Sequence, residues 1–177
     1  MPRTLYVFCT LALCAGIWLP PTAHAQSTDP QGTFQLIADQ SADIEAAIDT
    51  AIAKMNFVKR PIARSRLKKT NTAYQRIHIA RLPDAVELTF DQRKPLRVPT
   101  NGTPVKWTRE DGEVFDVSAQ WQATQLTQTY KAEDGMRVNT FRLGPDGQTL
   151  SLDVAVSSEQ LPQPVKYTLA YRRVEGS

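Results

Sequence analysis

From Ala73 to Arg173 the side chains alternate between apolar and polar with a period of two, the repeat of a pleated strand wetted on one face. Ile77 and Ile79 alternate with Arg76 and His78, and Val86, Leu88 and Phe90 with Glu87, Thr89 and Asp91. Val105 and Trp107 share a face, as do Phe115, Val117, Ala119 and Trp121 in the next run and Leu126, Gln128 and Tyr130 in the one after. Leu150, Leu152, Val154 and Val156 form one side of a further strand. Val165, Tyr167, Leu169, Tyr171 and Arg173 form one side of the last. Between Met136 and Leu143 the alternation leaves the inward side open: Arg142 goes with Met136, Val138 and Thr140, while Phe141 goes with Leu143. Asn101-Gly102, Asp111-Gly112, Asp134-Gly135 and Asp146-Gly147 punctuate these runs, and such pairs suit type I′ hairpin turns because both residues tolerate positive φ.

Upstream the period changes. Phe34 and Leu36 mark a short strand over 33–38. Ile44, Ile48, Ala51, Ile52, Met55 and Val58 then fall in one stripe at 3.6-residue spacing, which predicts an amphipathic helix over 42–58 with Ser41 as N-cap and Pro61 as its stop. A second short helix is expected over 62–69. Counting on through 74–81, 86–91, 95–99 and the later runs gives about ten strands, one before the helical segment and nine after it. The expected fold is mainly β: a ten-stranded antiparallel up-and-down barrel, helices inserted after the first strand, in one domain spanning 33–177.

The first 25 residues stand apart from that domain. Arg3 gives a short positive start, residues 5–19 are apolar apart from Thr10, and Ala23-His24-Ala25 is a small-x-small cleavage site. The segment reads as a signal peptide cleaved after Ala25, with 26–32 a flexible leader, and places the protein in a periplasm or outside the cell. Lipidation at Cys14 is the rival reading. Both cysteines, Cys9 and Cys14, lie in this signal, so the mature chain has no disulfide, zinc thiolate or cysteine nucleophile. An exported domain without disulfides favours a bacterial periplasm.

The formal net charge is +3, but its distribution says more. Residues 26–53 hold five acids and no base, and residues 54–83 hold nine bases and no acid. Lys59, Arg60, Arg64 and Arg66 are therefore candidates for contact with an anionic membrane surface. The alternative is a solvated helix face whose acids lie nearby in space. Nucleic acid is not expected as a partner, since export and the lack of interleaved aromatics both argue against it. His78 is the single mature histidine and there is no Gly-x-Ser-x-Gly elbow, so no catalytic residue, metal site or cofactor is expected.

Trp121, Leu126-Thr127-Gln128, Arg142, Asp146-Gly147, Leu150 and Tyr171-Arg172-Arg173 are similar in order and spacing to the C-terminal half of the intracellular lipid-binding proteins of the calycin superfamily, which includes the lipocalins. The lipocalin Gly-x-Trp signature is absent near the start. The resemblance implies a barrel in which a late-strand arginine and an Arg-x-Tyr pair hold a fatty-acid carboxylate. By position these are Arg142 and the pair around Tyr171 and Arg173, here in the order Tyr-x-Arg.

Ten strands ring a wider space than the eight whose side chains just fill a barrel. Ligand or water then occupies the middle, or the barrel is flattened and packed shut. In the first case Trp107, Trp121, Tyr130, Tyr167 and Tyr171 line a pocket for an apolar or amphipathic small molecule such as a lipid, with Arg142 and Arg173 as its charged contacts. In the second the protein is a dry envelope module that works through protein contacts.

Overall fold

The computed structural model describes residues 29–174. The expected signal peptide and both cysteines lie outside the described residues, as does the start of the leader. Ten strands form one antiparallel sheet: β1 (Gly32–Leu36), β2 (Arg76–Arg81), β3 (Ala85–Phe90), β4 (Leu96–Pro99), β5 (Val105–Thr108), β6 (Val114–Gln122), β7 (Gln125–Lys131), β8 (Gly135–Leu143), β9 (Thr149–Ser158) and β10 (Val165–Val174). Their order is β4-β3-β2-β1-β10-β9-β8-β7-β6-β5, so each strand neighbours its sequence neighbour and β10 closes onto β1. One gap remains, between β4 and β5, and an Asn101–Gln120 bridge spans it. The result is a nearly closed up-and-down barrel.

The alternation read from the sequence gives the inner face. Ile77, Ile79, Leu88, Val117, Leu126, Leu150, Leu152, Leu169 and Tyr171 are buried. The side left open in β8 is now fixed: Asn139 and Phe141 are buried within, while Met136 and Arg142 face solvent. The turns differ from expectation. Gly102, Gly112 and Gly147 take positive φ, yet the residues before them do not, so these are not type I′ turns. Instead the preceding acid or amide folds onto the next amides. Asp146 Oδ1 accepts from Gln148 N and Thr149 N at 2.9 and 3.0 Å, and Asn101 Oδ1 accepts from Thr103 N at 2.9 Å. Ala123, with φ 51, forms the tight link between β6 and β7.

After β1 a 3-10 turn (Ala38–Gln40) leads into α1 (Ile44–Ile52) and α2 (Arg60–Thr70), which lie over one end of the barrel. α1 is shorter than expected. Its cap is Asp43, whose Oδ1 accepts from Glu45 N and Ala46 N, and not Ser41, which ties the segment to β10 by accepting from Ala170 N at 3.0 Å. Ile48, Ala51 and Ile52 are buried, but Val58, expected on the same stripe, lies beyond the helix and is 60% exposed. Pro61 sits in the first turn of α2, where its missing N–H costs nothing, so it starts a helix as well as separating two. The charge blocks meet across the two helices: Arg64 pairs with Asp49 and Lys68 with Glu45, both at 2.7 Å. Both pairs are about half exposed and contribute at most about 1 kcal/mol each.

Candidate ligand site

Three levels divide the barrel interior. At the end away from the helices two arginines lie over aromatic rings. Arg81, at the end of β2, stacks on Trp121 of β6 at 4.8 Å and pairs with Asp29. Arg173, at the end of β10, stacks on Phe34 at 4.9 Å. Its Nε donates to Gly147 O at 2.8 Å and its Nη1 to Gln31 O at 2.6 Å. Gly32 makes that approach possible, since a Cβ there would collide with the guanidinium. Arg173 therefore closes the rim with main-chain carbonyls as partners.

The middle level is hydrocarbon. Phe90 of β3 and Phe141 of β8 stand on diametrically opposite walls, yet their rings stack with centroids 6.5 Å apart. Tyr74 packs on the other side of Phe90 at 4.5 Å. The barrel is flattened here, and its walls touch.

Beneath the helices the interior turns polar. Adjacent strands β7 and β8 place Gln128 opposite Asn139 and Tyr130 opposite Arg137. Asn139 Nδ2 donates to Gln128 Oε1 at 3.3 Å, and Arg137 Nε donates to Asn139 Oδ1 at 2.9 Å. Arg137 Nη1 reaches up to Thr70 O and Asn71 Oδ1 at the end of α2, and Tyr167 Oη donates to the same Asn71 oxygen at 3.1 Å. Gln128, Asn139 and Asn71 are at most 4% exposed. Among the described residues, Gln128 Nε2 and Tyr171 Oη in the interior and Trp121 Nε1 under Arg81 are buried without a hydrogen-bond partner. Burial raises the phenol pKa of Tyr130, Tyr167 and Tyr171, and the Arg137 charge acts against that rise in all three. Arg137 thus projects its field into a space bordered by tyrosine hydroxyls.

Five of the seven expected ligand residues, Trp107, Trp121, Tyr130, Tyr167 and Tyr171, line the inner face. Trp107 packs with Phe115 and Tyr130 at ring distances of 5.7 and 5.5 Å. Arg142 is a correction: it is on the outer wall, bonded to Gln125 Oε1 and Asp153, because β8 turns its other side inward. The carboxylate contact implied for Arg142 is therefore absent from the interior, and Arg173 is engaged at the rim. Arg137, which the sequence reading missed, is the inward arginine of β8; its signal was parity with Asn139 and Phe141. A groove of ≈ 330 Å³ does open on the outer wall, between Thr140, Asp153, Lys166 and Thr168, outside the barrel. His78 is also outside, its Nδ1 2.9 Å from Thr33 Oγ1.

No family model and no curated protein matches the sequence. Solved structures match its fold. They include a protein titled REP1-NXSQ fatty acid transporter, with a TM-score of 0.53, 14% identity and coverage of 83% of this chain and 97% of that one. An abundant heat soluble (SAHS) protein of Ramazzottius varieornatus matches with a TM-score of 0.56 and 8% identity, covering 81% and 94%. A fatty-acid-binding protein from brain tissue of Drosophila melanogaster gives 0.51 and 14%, covering 82% and 99%. The chain has the calycin-like β-barrel fold.

Proposed function

We propose that this chain is an exported, periplasmic or secreted, non-enzymatic binding protein that holds a small apolar or amphipathic molecule of lipid-like chemistry inside its barrel. The observation that carries this reading is the Tyr171 hydroxyl, fully buried on the inner face and without a hydrogen-bond partner among the described residues. Such a group costs about 1–3 kcal/mol when left unpaired, and a bound molecule with an acceptor removes that cost. The shared fold with proteins titled fatty acid transporter and fatty-acid-binding protein supports the same class of cargo. The test is organic extraction of natively purified residues 26–177 followed by mass spectrometry, with uptake of a fluorescent fatty acid by the stripped protein. Extracts without any stoichiometric amphiphile, together with no probe uptake, overturn the reading.

The Phe90–Phe141 contact favours a second reading, a packed envelope module that binds no small molecule. The same experiment decides between them, since that module predicts both negative results.

The cargo's source is a membrane in this proposal, and one surface fits it. Phe57, Val58 and Ile62 are 80%, 60% and 59% exposed at the junction of the two helices. Lys54, Lys59, Arg66 and Lys69 lie along the same segment without acid partners among the described residues. Of the four cations expected at an anionic surface, Arg64 is held by Asp49 and Arg60 by the carbonyls of Ala53 and Met55, which leaves Lys59 and Arg66. Exposed apolar side chains entering the headgroup region among unpaired cations suit an anionic bilayer. Sedimentation with phosphatidylglycerol vesicles should capture the protein, phosphatidylcholine vesicles should not, and Phe57→Ser with Ile62→Ser should weaken capture. Equal capture by both vesicle types, or none by either, overturns the membrane contact.

A further inference from the structure

At the base of the barrel, the end away from the helices, two arginines are held by one short segment. β1 lies between β2 and β10, so the residues that lead into it pass between the ends of both neighbours. Asp29 pairs with Arg81 at the end of β2, and Gln31 O accepts from Arg173 Nη1 at the end of β10. Pro30, between these two contacts, is buried, and Gln31 N donates to Asp29 O at 2.8 Å, which folds the segment into a tight turn. On their other sides the guanidinium groups lie over inner-face rings, Arg81 over Trp121 and Arg173 over Phe34. Gly32 leaves the space that Arg173 occupies. Ring and segment thus clasp each arginine from opposite sides, and the two arginine–ring stacks close the base.

The clasp is light. Residues 29–31 precede β1 and add no pairing to the sheet. The side chains of the Asp29–Arg81 pair are 22% and 44% exposed, so dissolved salt screens it. A segment held by so few buried contacts opens at a lower free energy than the strand ladder beside it. Arg173 keeps a second anchor, its Nε on Gly147 O, whereas Arg81 has only Asp29 and the Trp121 ring. We propose that residues 29–31 are a releasable strap over the base of the barrel, and that lifting it frees Arg81 from Trp121, loosens Arg173 and opens a route to the interior remote from the helices. Freed arginine side chains regain rotamer freedom and carry their charge into water, which favours the open form once the strap is off. Asp29 is a positioning residue that acts through Arg81. The inference is independent of cargo, since the strap seals an empty interior as well as a filled one.

The experiment uses thiol access. Residues 26–177 contain no cysteine, so a single introduced one reports on its own surroundings. Ile79→Cys, opposite Gly32, and Leu150→Cys, opposite Tyr171, report on the base; Ala51→Cys, buried in α1, reports on the helical end. The base reporters lie on different strands, so the readout survives if one substitution prevents folding. Each protein is labelled with iodoacetamide under native conditions, with and without Asp29→Asn. That change should speed labelling at the base by roughly 1.5- to 5-fold, the shift in an opening equilibrium that loss of a part-exposed ion pair gives, and leave Ala51→Cys unchanged. Gly32→Ala, which displaces Arg173, should also speed it. Added salt should speed base labelling in the parent but not in Asp29→Asn. Equal acceleration at Ala51→Cys shows the whole barrel loosening and overturns the proposal, as does unchanged labelling at the base. A salt response of the same size with and without Asp29→Asn overturns the ion pair as the latch.

Discussion

Replacing Tyr171 by phenylalanine deletes one atom, and the structure gives that atom an unusual value. Tyr171 is 0% exposed, and its hydroxyl has no hydrogen-bond partner among the described residues. The ring is already accommodated between Leu150 of β9 and Leu36 of β1, its register neighbours, so losing the oxygen changes little packing. What changes is desolvation: a buried unpaired polar group costs about 1–3 kcal/mol, and the variant no longer bears it. Stripped Tyr171→Phe should therefore be more stable than the wild type by about 1–2 kcal/mol. For a domain of this size each kcal/mol moves Tm by roughly 2–4 °C, so the expected rise is about 2–8 °C. Urea unfolding followed by tryptophan fluorescence measures the free energy, with a constant m-value as the check that neither end state changed compactness. The natively loaded protein is the control in which the gain shrinks, if the cargo supplies the acceptor. A stripped variant less stable than wild type by 1 kcal/mol would refute the reasoning, because the hydroxyl would then have a partner in the empty barrel.

Further outcomes follow from other parts of the molecule. Gly32→Ala places a methyl group at φ 123 against the Arg173 guanidinium, and should cost about 1–3 kcal/mol in urea unfolding. Ile48→Ala empties a fully buried position between α1 and the sheet and should cost about 2–5 kcal/mol, whereas Ile62→Ala, on an exposed face, should stay within about 0.5 kcal/mol. Burial raises the folded-state pKa of the Tyr130, Tyr167 and Tyr171 phenols above their unfolded value near 10, so the stability they contribute is present below about pH 10 and is lost as pH climbs through their folded values. Urea midpoints should be flat below pH 9.5 and fall above pH 10, by up to about 1.4 kcal/mol per pH unit per tyrosine; complete tyrosinate absorbance near pH 10 in still-folded protein would contradict this.

The sheet was legible because period-two alternation is imposed by burial on one face, and burial on one face is what a barrel wall is. Ten strands, their antiparallel order and the helical insertion all follow from that constraint. Local chemistry read less well where several residues could do one job. Ser41 and Asp43 are both good caps, and the choice fell to Asp43 because Ser41 is needed by Ala170 across the chain. Val58 matched the helical stripe but lost it once the chain turned at Ala53–Val58, with Asn56 Oδ1 accepting from Val58 N. In β8 both sides carry apolar residues and an arginine, so alternation alone could not select Arg137 over Arg142. The neighbours decide that: Tyr130 and Gln128, inward on β7, pair with Arg137 and Asn139 and carry them inward.

Strand number fixes the circumference of a barrel, and only the shape of its section fixes the space inside. Ten strands drawn as a circle leave room that side chains cannot fill, but the same ring pressed into an ellipse can bring opposite walls into contact. Phe90 and Phe141 do that here. With Arg81 on Trp121 and Arg173 on Phe34 blocking the far end, an amphiphile has one polar destination, the level beneath α2. That level meets the C-terminal end of α2 at Thr70 and Asn71, one helix length from the exposed Phe57 and Ile62 at its N-terminal end. If the barrel carries a ligand as proposed, the two phenylalanines must part to admit its tail. Enlarging the space by Phe141→Ala should raise affinity for longer tails more than for short ones, although it lowers the stability of the empty barrel by about 3–5 kcal/mol. A variant that loses stability without any such chain-length dependence would place the tail somewhere other than between these walls.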